Sequence, residues 1–193
     1  AGRLSTEIRA EPSSRLTRWM AALLAAFAWE AEQAPWSTPP LATYRKYRRG
    51  TIAVYPYLEI WRLGEHVHPE PPAWPLLRTL EHLNVRIMYL TNDLFSSARE
   101  ARLGKLNLLF LMMQKHHIDL GAAQTMVRHE IDHLISRFLL FRSSLDTVHL
   151  SEGTARYVDF LSSSLAGNQQ ALLVLRQRYG SIPNRDSQCG SKV

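Results

Sequence analysis

A chain of 193 residues, 46% of them hydrophobic, is long enough for one domain with its own core, and its single cysteine, Cys189, excludes a disulfide framework. Its 23 Lys and Arg against 17 Asp and Glu leave a net charge of +6, which favours an anionic partner and leaves diphosphate, nucleic acid and anionic lipid open. The longest apolar run near the start, residues 20–29, is too short to span a bilayer and follows a mixed-charge segment unlike a secretory signal, so a soluble, cytoplasmic protein without a stable membrane anchor is expected.

Helical periodicity runs through most of the sequence. Leu16, Trp19, Met20, Leu23, Leu24 and Phe27 recur at helix spacing behind Ser13 and Ser14, either of which can cap a first helix. Pro35, Pro39 and Pro40 break the chain before a second helix that starts near Leu41. Gly50 predicts a kink in it, and the helix resumes toward Trp61 past Pro56. The proline-rich stretch 69–75 predicts a loop, followed by a long helix over 76–102. Further helices are expected over 106–115, 120–141 and 150–166, with a shorter one over 169–176, and the polar residues 183–193 read as a disordered tail. No alternating strand pattern or internal repeat interrupts the series, so the expected architecture is an all-α bundle.

Within the long helix Asn92, Ser96 and Glu100 stand four residues apart. This spacing puts their side-chain oxygens on one face, roughly 6 Å from one to the next along the axis. An amide oxygen, a hydroxyl and a carboxylate form an all-oxygen set suited to Mg²⁺, an ion that keeps waters and shares its shell with substrate phosphates. The pattern Asn-Asp-Leu-x-Ser-x-x-x-Glu resembles the second metal motif of class I terpene synthases, the bacterial-type terpene cyclases. Upstream, Tyr44-x-x-x-Arg48-x-x-Thr51 is similar to the family segment that carries the arginine sensing the substrate diphosphate. Near the C-terminus Arg178-Tyr179, preceded by Gly167-Asn168, resembles the terminal Arg-Tyr pair, and Arg156-Tyr157 is a decoy for it. The tryptophan usual between the Gly-Asn segment and Arg-Tyr is absent here.

The resemblance covers about 15–180 and starts in the middle of the fold. The aspartate-rich motif that family members carry on an earlier helix has no counterpart here, because the sequence contains no Asp-Asp-x-x-Asp-like cluster. Residues 1–182 are therefore identified as the C-terminal portion of a terpene synthase domain, a class I terpenoid synthase α-helical bundle truncated at the N-terminus. Whether that is a gene fragment, a shortened stretch or a degraded copy is left open by the sequence.

The resemblance implies a lyase acting on the carbon–oxygen bond of a prenyl diphosphate, with Mg²⁺-dependent ionisation and cyclisation. Farnesyl diphosphate would be the substrate and a sesquiterpene the product. It implies three Mg²⁺ per complete active site, one of them held here by Asn92, Ser96 and Glu100. Arg48, Arg99, Arg178 and Tyr179 would bind the diphosphate. Thr51 would link the sensor Arg48 to the carbonyl of Ile52, which helps expel the diphosphate. Tyr57 and Tyr89 are candidate cavity aromatics, and Trp61 reads as core. A homodimer is compatible with this reading. Without the missing half, these 193 residues are expected to be inactive, with exposed inner helix faces that favour association.

Two rival readings come from local patterns. The basic run Tyr44-Arg45-Lys46-Tyr47-Arg48-Arg49 interleaves cations with aromatics, as a nucleic-acid patch or a solvated helix end would. The terpene synthase reading takes it as the sensor segment and expects no nucleic-acid partner. His129-Glu130-Ile131-Asp132-His133 matches the His-Glu-x-x-His zinc signature, with Glu152 placed like the third ligand of a gluzincin metallopeptidase. Against the zinc reading, Arg156 stands where such peptidases usually have an acidic residue. His66, His68, His116 and His117 follow no ligand pattern and are expected in solvent.

Overall fold

The computed structural model describes residues 12–68, 73–145 and 149–175. These form seven helices and no strand: α1 Pro12–Ala31, α2 Leu41–Thr51, α3 Val54–Gly64, α4 Trp74–Arg102, α5 Leu108–His116, α6 Leu120–Leu145 and α7 Glu152–Val174. The all-α bundle expected from the sequence is thus the architecture of the described residues, none of whose helices is long and apolar enough to cross a membrane.

Helix α4 is the axis, touching α2, α3, α5, α6 and α7, while α1 lies across α2 and α3. Leu77, Leu80, Leu83, Ile87 and Leu90 recur along α4 at steps of three and four, and all are buried. Each such side chain contributes roughly 1.5–3 kcal/mol on leaving water. The helix starts two residues earlier than its pattern predicts, because Pro75 falls in the first turn, where its missing N–H costs nothing. It stops at Gly104, whose φ of 62° lets the Lys105 N–H reach back to the Glu100 carbonyl at 2.9 Å.

Two details depart from the sequence expectation, and α1 adds a feature on which the periodicity is silent. The break between α2 and α3 falls not at Gly50 but at Ala53, which adopts a left-handed φ of 59°. Gly50 serves contact instead, since a Cβ there would stand 2.5 Å from the Ala26 Cβ and 3.2 Å from the Ala22 carbonyl oxygen of α1. Helix α7 is continuous through Gly167, where two helices were expected. Leu161 and Leu172 are buried on either side of that glycine, and their burial outweighs the roughly 1 kcal/mol that a mid-helix glycine costs. Finally, the apolar stripe of α1 faces outward, with Met20, Leu24 and Phe27 being 40%, 64% and 48% exposed. The opposite side of α1 packs through Trp19 stacked on Tyr55 at 4.1 Å and Trp29 stacked on Tyr47 at 4.5 Å.

The Gly50 contact gives a prediction. Alanine is the better helix former by about 1 kcal/mol, yet crowding a packed interface costs about 1–3 kcal/mol. Gly50→Ala should therefore lower the thermal midpoint in a calorimetric or circular-dichroism melt; an unchanged or raised midpoint would mean that α1 and α2 separate freely.

Candidate functional site

The C-terminal end of α2 meets the middle of α4, and the meeting is made of polar atoms. Arg48 donates from Nε to Asp93 Oδ1 at 2.7 Å, from one terminal nitrogen to Asn92 Oδ1 at 2.6 Å, and from the other to Thr51 Oγ1 at 3.1 Å. Asp93 is fully buried and accepts a second bond at Oδ2 from the Tyr44 hydroxyl at 2.7 Å. Burial works against the charge of Arg48, but Asp93, Tyr44 and Glu100 together hold its pKa above the ordinary value. Burial and the same Asp93 carboxylate push the Tyr44 phenol well up, so it remains a donor.

Four and eight residues past Asn92, Ser96 and Glu100 follow on α4. Ser96 is buried and its Oγ has no hydrogen-bond partner of its own, although it lies near enough to Glu100 to ease the charge there slightly. Glu100 accepts at Oε2 from Asn107 Nδ2 at 2.6 Å, and the same nitrogen donates to the Asp93 carbonyl at 2.8 Å. Asn107 also caps α5, its Oδ1 accepting from the Leu109 N–H at 2.8 Å. Burial first, and then the Asp93 charge, push the Glu100 pKa above its ordinary 4.5 against the bonds from Asn107 and the charge of Arg48. The Ser96 hydroxyl and the Glu100 carboxylate thus stand on one face of α4 with Asn92. The oxygen-only donor set fits a hard divalent ion. Beside it lies a cavity of about 20 Å³, room for one water-sized group, lined by Trp29, Glu30, Tyr44, Arg48, Thr51, Glu100, Lys105 and Leu106.

The sequence leaves the family to comparison, and comparison decides it. The profile of the family described as terpene synthase family 2, C-terminal metal binding, matches residues 1–137. The chain belongs to this terpene synthase family. Its fold is that of solved bacterial members. The linalool/nerolidol synthase of Streptomyces clavuligerus superposes with a TM-score of 0.75 at 20% identity, covering 85% of this chain and 59% of that one. The same enzyme in complex with 2-fluorogeranyl diphosphate superposes equally well, at 0.75 and 20% identity, over 85% of this chain and 60% of that one. The SVS_A2 protein from ancestral sequence reconstruction gives 0.71 at 21% identity, over 86% of this chain and 50% of that one. The chain thus spans about 59% of the length of the Streptomyces synthase. Curated proteins give no match.

Within this terpene synthase chain, the residues singled out by sequence separate into groups. Arg48, Thr51, Asn92, Ser96 and Glu100 gather at the α2–α4 meeting. Ile52 follows as the cap of α2, its N–H bonded to the Arg48 carbonyl at 3.1 Å, directly before the left-handed Ala53. Arg99 is exposed on α4. Arg178, Tyr179 and the tail 183–193 lie outside the described residues. The two candidate cavity aromatics stand apart from the α2–α4 meeting. Tyr57 is 51% exposed on α3 and tilts against Phe160 of α7, away from the α2–α4 meeting. Tyr89 is fully buried among the described residues, with its hydroxyl close to Arg45. Trp61 packs on Tyr157 and Phe160, as core.

The residues of the rival patterns make other contacts. In the basic run, Tyr44 and Arg48 are spent on Asp93, Tyr47 on Trp29, and Arg45 on Glu130 through a bidentate pair at 2.6 and 2.7 Å. Glu130 also accepts from Arg86 at 2.8 Å. Burial works to raise its carboxyl, but the two arginines outweigh that and hold it below the ordinary value, as a clamped anion with no basicity to lend a water. His129 and His133 are exposed on α6, and Glu152 at the start of α7 is exposed and paired with Arg156. His66, His68, His116 and His117 are exposed as expected.

Sequence reasoning missed Asp93, Asn107 and Lys105. Asp93 lies inside the motif but points to α2, one residue round the helix from the face of Asn92, Ser96 and Glu100. Asn107 before an apolar run signals a helix cap, and nothing in the pattern signals its reach to Glu100.

Glu100 supplies a pH test. A carboxyl raised in the folded state adds stability that is full below the ordinary 4.5 and is lost as pH rises through the folded value. Glu100→Gln keeps an acceptor for Asn107 and removes the charge. The metal-free variant should melt above the parent at neutral pH, with the gain shrinking as pH falls toward 4.5 and absent below it. A lower midpoint at pH 7 would show that the carboxylate is welcome where it sits.

Proposed function

We propose that this chain is the metal-binding C-terminal part of a terpene synthase that ionises a prenyl diphosphate, with farnesyl diphosphate as substrate and a sesquiterpene as product. The observation carrying it is the buried, partnerless Ser96 hydroxyl between Asn92 and Glu100, with the Arg48 guanidinium already at the motif. Asn92, Ser96 and Glu100 would hold one Mg²⁺. When bound, that ion neutralises charge on the departing diphosphate. Arg48 and Lys105 would present cations to the same charge, with Arg99, Arg178 and Tyr179 as further contacts. Thr51 ties the guanidinium to the end of α2, so a shift of Arg48 reaches the Ile52 carbonyl through the break at Ala53. Asn107 holds Glu100 in place.

The aspartate-rich motif, absent from this sequence, would supply the other two metal positions. In the proposal, the exposed Met20, Leu24 and Phe27 of α1 are covered by that half. These 193 residues by themselves would then turn over no substrate. The complete enzyme would act in the cytoplasm, and a homodimer is compatible with it.

Two measurements test the proposal. Elemental analysis of protein purified without chelator should find no stoichiometric zinc; zinc that disappears in His133→Ala would overturn it. Joined to an aspartate-rich half from a relative, the chain should release diphosphate from farnesyl diphosphate in a Mg²⁺-dependent way that Glu100→Gln abolishes. Release indifferent to Glu100 would remove the metal assignment.

A further inference from the structure

Towards the other end of α4, the early turns of α1, α3 and α4 enclose a cavity of about 210 Å³. Its walls carry the guanidinium groups of Arg15 and Arg18 from α1 and Arg78 from α4, against the single carboxylate of Glu81. Three cations facing one anion leave an excess of two positive charges on the walls. Glu81 is already engaged through both oxygens, one accepting from the Tyr157 hydroxyl at 2.7 Å and the other from Arg15 at 3.3 Å. Arg15 also spends its Nε on Glu59 at 3.2 Å, but its Nη1 is buried without a hydrogen-bond partner, and the Trp74 ring lies over the guanidinium at 4.6 Å. An unmade bond on a buried charged group is costly, and an acceptor brought to it is favoured.

His82 adds a donor that carries no charge. Its Nδ1 lies 3.0 Å from the Tyr55 hydroxyl. Burial pushes that phenol up to about 12, while burial and the charges of Arg49 and Arg86 lower the imidazole, so at neutral pH both groups are uncharged. With the phenol donating to Nδ1, the ring proton stands on Nε2. The remaining walls are flat and aromatic, Trp19 stacked on Tyr55 on one side and Trp74 on another.

These features select among anions. A carboxylate brings two oxygens and one charge, whereas a phosphate monoester brings three free oxygens and about −1.5 to −2 at pH 7, which matches the excess on the walls. A cavity of about 150 Å³ holds a benzene ring, so this one has space for a ring that carries its phosphoryl group towards the arginines.

We infer that this cavity is a second ligand site, for a small aromatic phosphomonoester, with Arg15, Arg18 and Arg78 on the phosphoryl oxygens and the ring against Trp19 and Trp74. Arg15 Nη1 comes within reach as Trp74 turns aside. His82 precedes Asn92 by ten residues, about 15 Å along α4, so this ligand sits clear of the metal motif and binds without metal. The inference does not depend on reading Asn92, Ser96 and Glu100 as metal ligands.

The test titrates the full chain with phenyl phosphate in the presence of EDTA, by calorimetry and by tryptophan emission. Binding should saturate at one site and change the emission as Trp74 moves. Arg18 and Arg78 are exposed, so Arg18→Ala and Arg78→Ala should fold, and each should weaken binding roughly tenfold or more through loss of a charge-assisted contact. Glu100→Gln and the surface variant Arg156→Ala should bind as the parent does. Inorganic phosphate binding as tightly as phenyl phosphate would show that the aromatic walls select nothing, and benzoate binding as tightly would show the same of the phosphoryl group; either overturns the inference. A loss in Arg156→Ala equal to that in Arg18→Ala would reduce the binding to general charge attraction, and a loss in Glu100→Gln would move the ligand to the metal motif. Absence of saturable binding by the parent would overturn the inference outright.

Discussion

Replacing Glu59 by glutamine should destabilise this protein by about 3–5 kcal/mol, the usual consequence of removing one partner from a buried ion pair. Glu59 of α3 is 1% exposed and pairs with Arg62 and, at 3.2 Å, with Arg15 of α1. Arg15 continues to Glu81 of α4 at 3.3 Å, and Glu81 accepts from the Tyr157 hydroxyl of α7 at 2.7 Å. Four helices thus meet on a chain of alternating charges, with two arginines balanced by two glutamates. Taking Glu59 away leaves two buried guanidinium groups facing one carboxylate. Denaturant unfolding followed by fluorescence would measure the loss. Glu152→Gln is the contrast, because its pair with Arg156 lies in solvent and should contribute at most about 1 kcal/mol. A Glu59 effect no larger than the Glu152 effect would mean that water reaches the network.

That network was invisible in the sequence, and the reason is physical. A buried charge carries no periodic signature; Arg15, Glu59, Arg62 and Glu81 read along the chain as surface residues, and only the approach of α1, α3 and α4 pairs them. Patterns confined to one helix were legible. The apolar steps along α4 gave its extent within two residues, and the four-residue spacing of Asn92, Ser96 and Glu100 placed them on one face. Arg48 was legible only through the family pattern, since nothing local says that α2 will lay it on Asn92. The stripe Met20, Leu24, Phe27 gave the helix and left open which way it faces. Periodicity reports that a face is apolar, whereas what covers that face depends on the rest of the assembly. The roles of Tyr57 and Tyr89 were illegible for the related reason that an aromatic on a helix can serve surface, core or cavity with one and the same spacing.

Arg48→Ala should cost the complete enzyme about 10²–10³-fold in kcat, the scale seen when one preorganised donor to a developing negative charge is removed. The guanidinium is charged at any working pH, is fixed by contacts to Asp93, Asn92 and Thr51, and can turn to phosphate without leaving the end of α2. Arg156→Ala should change kcat little, since that side chain reaches only Glu152 and Glu65 at the surface. The measurement is diphosphate release by the chain joined to an aspartate-rich half, at equal folded concentration and saturating Mg²⁺. Arg48→Lys separates charge from shape: it keeps the cation but gives up the fork, so recovery well short of the parent points to bidentate contact with phosphate. If turnover were indifferent to Arg48 yet sensitive to Arg156, the surface pair on α7 would be the one facing substrate, and the assignment of the α2–α4 meeting as the diphosphate site would be wrong.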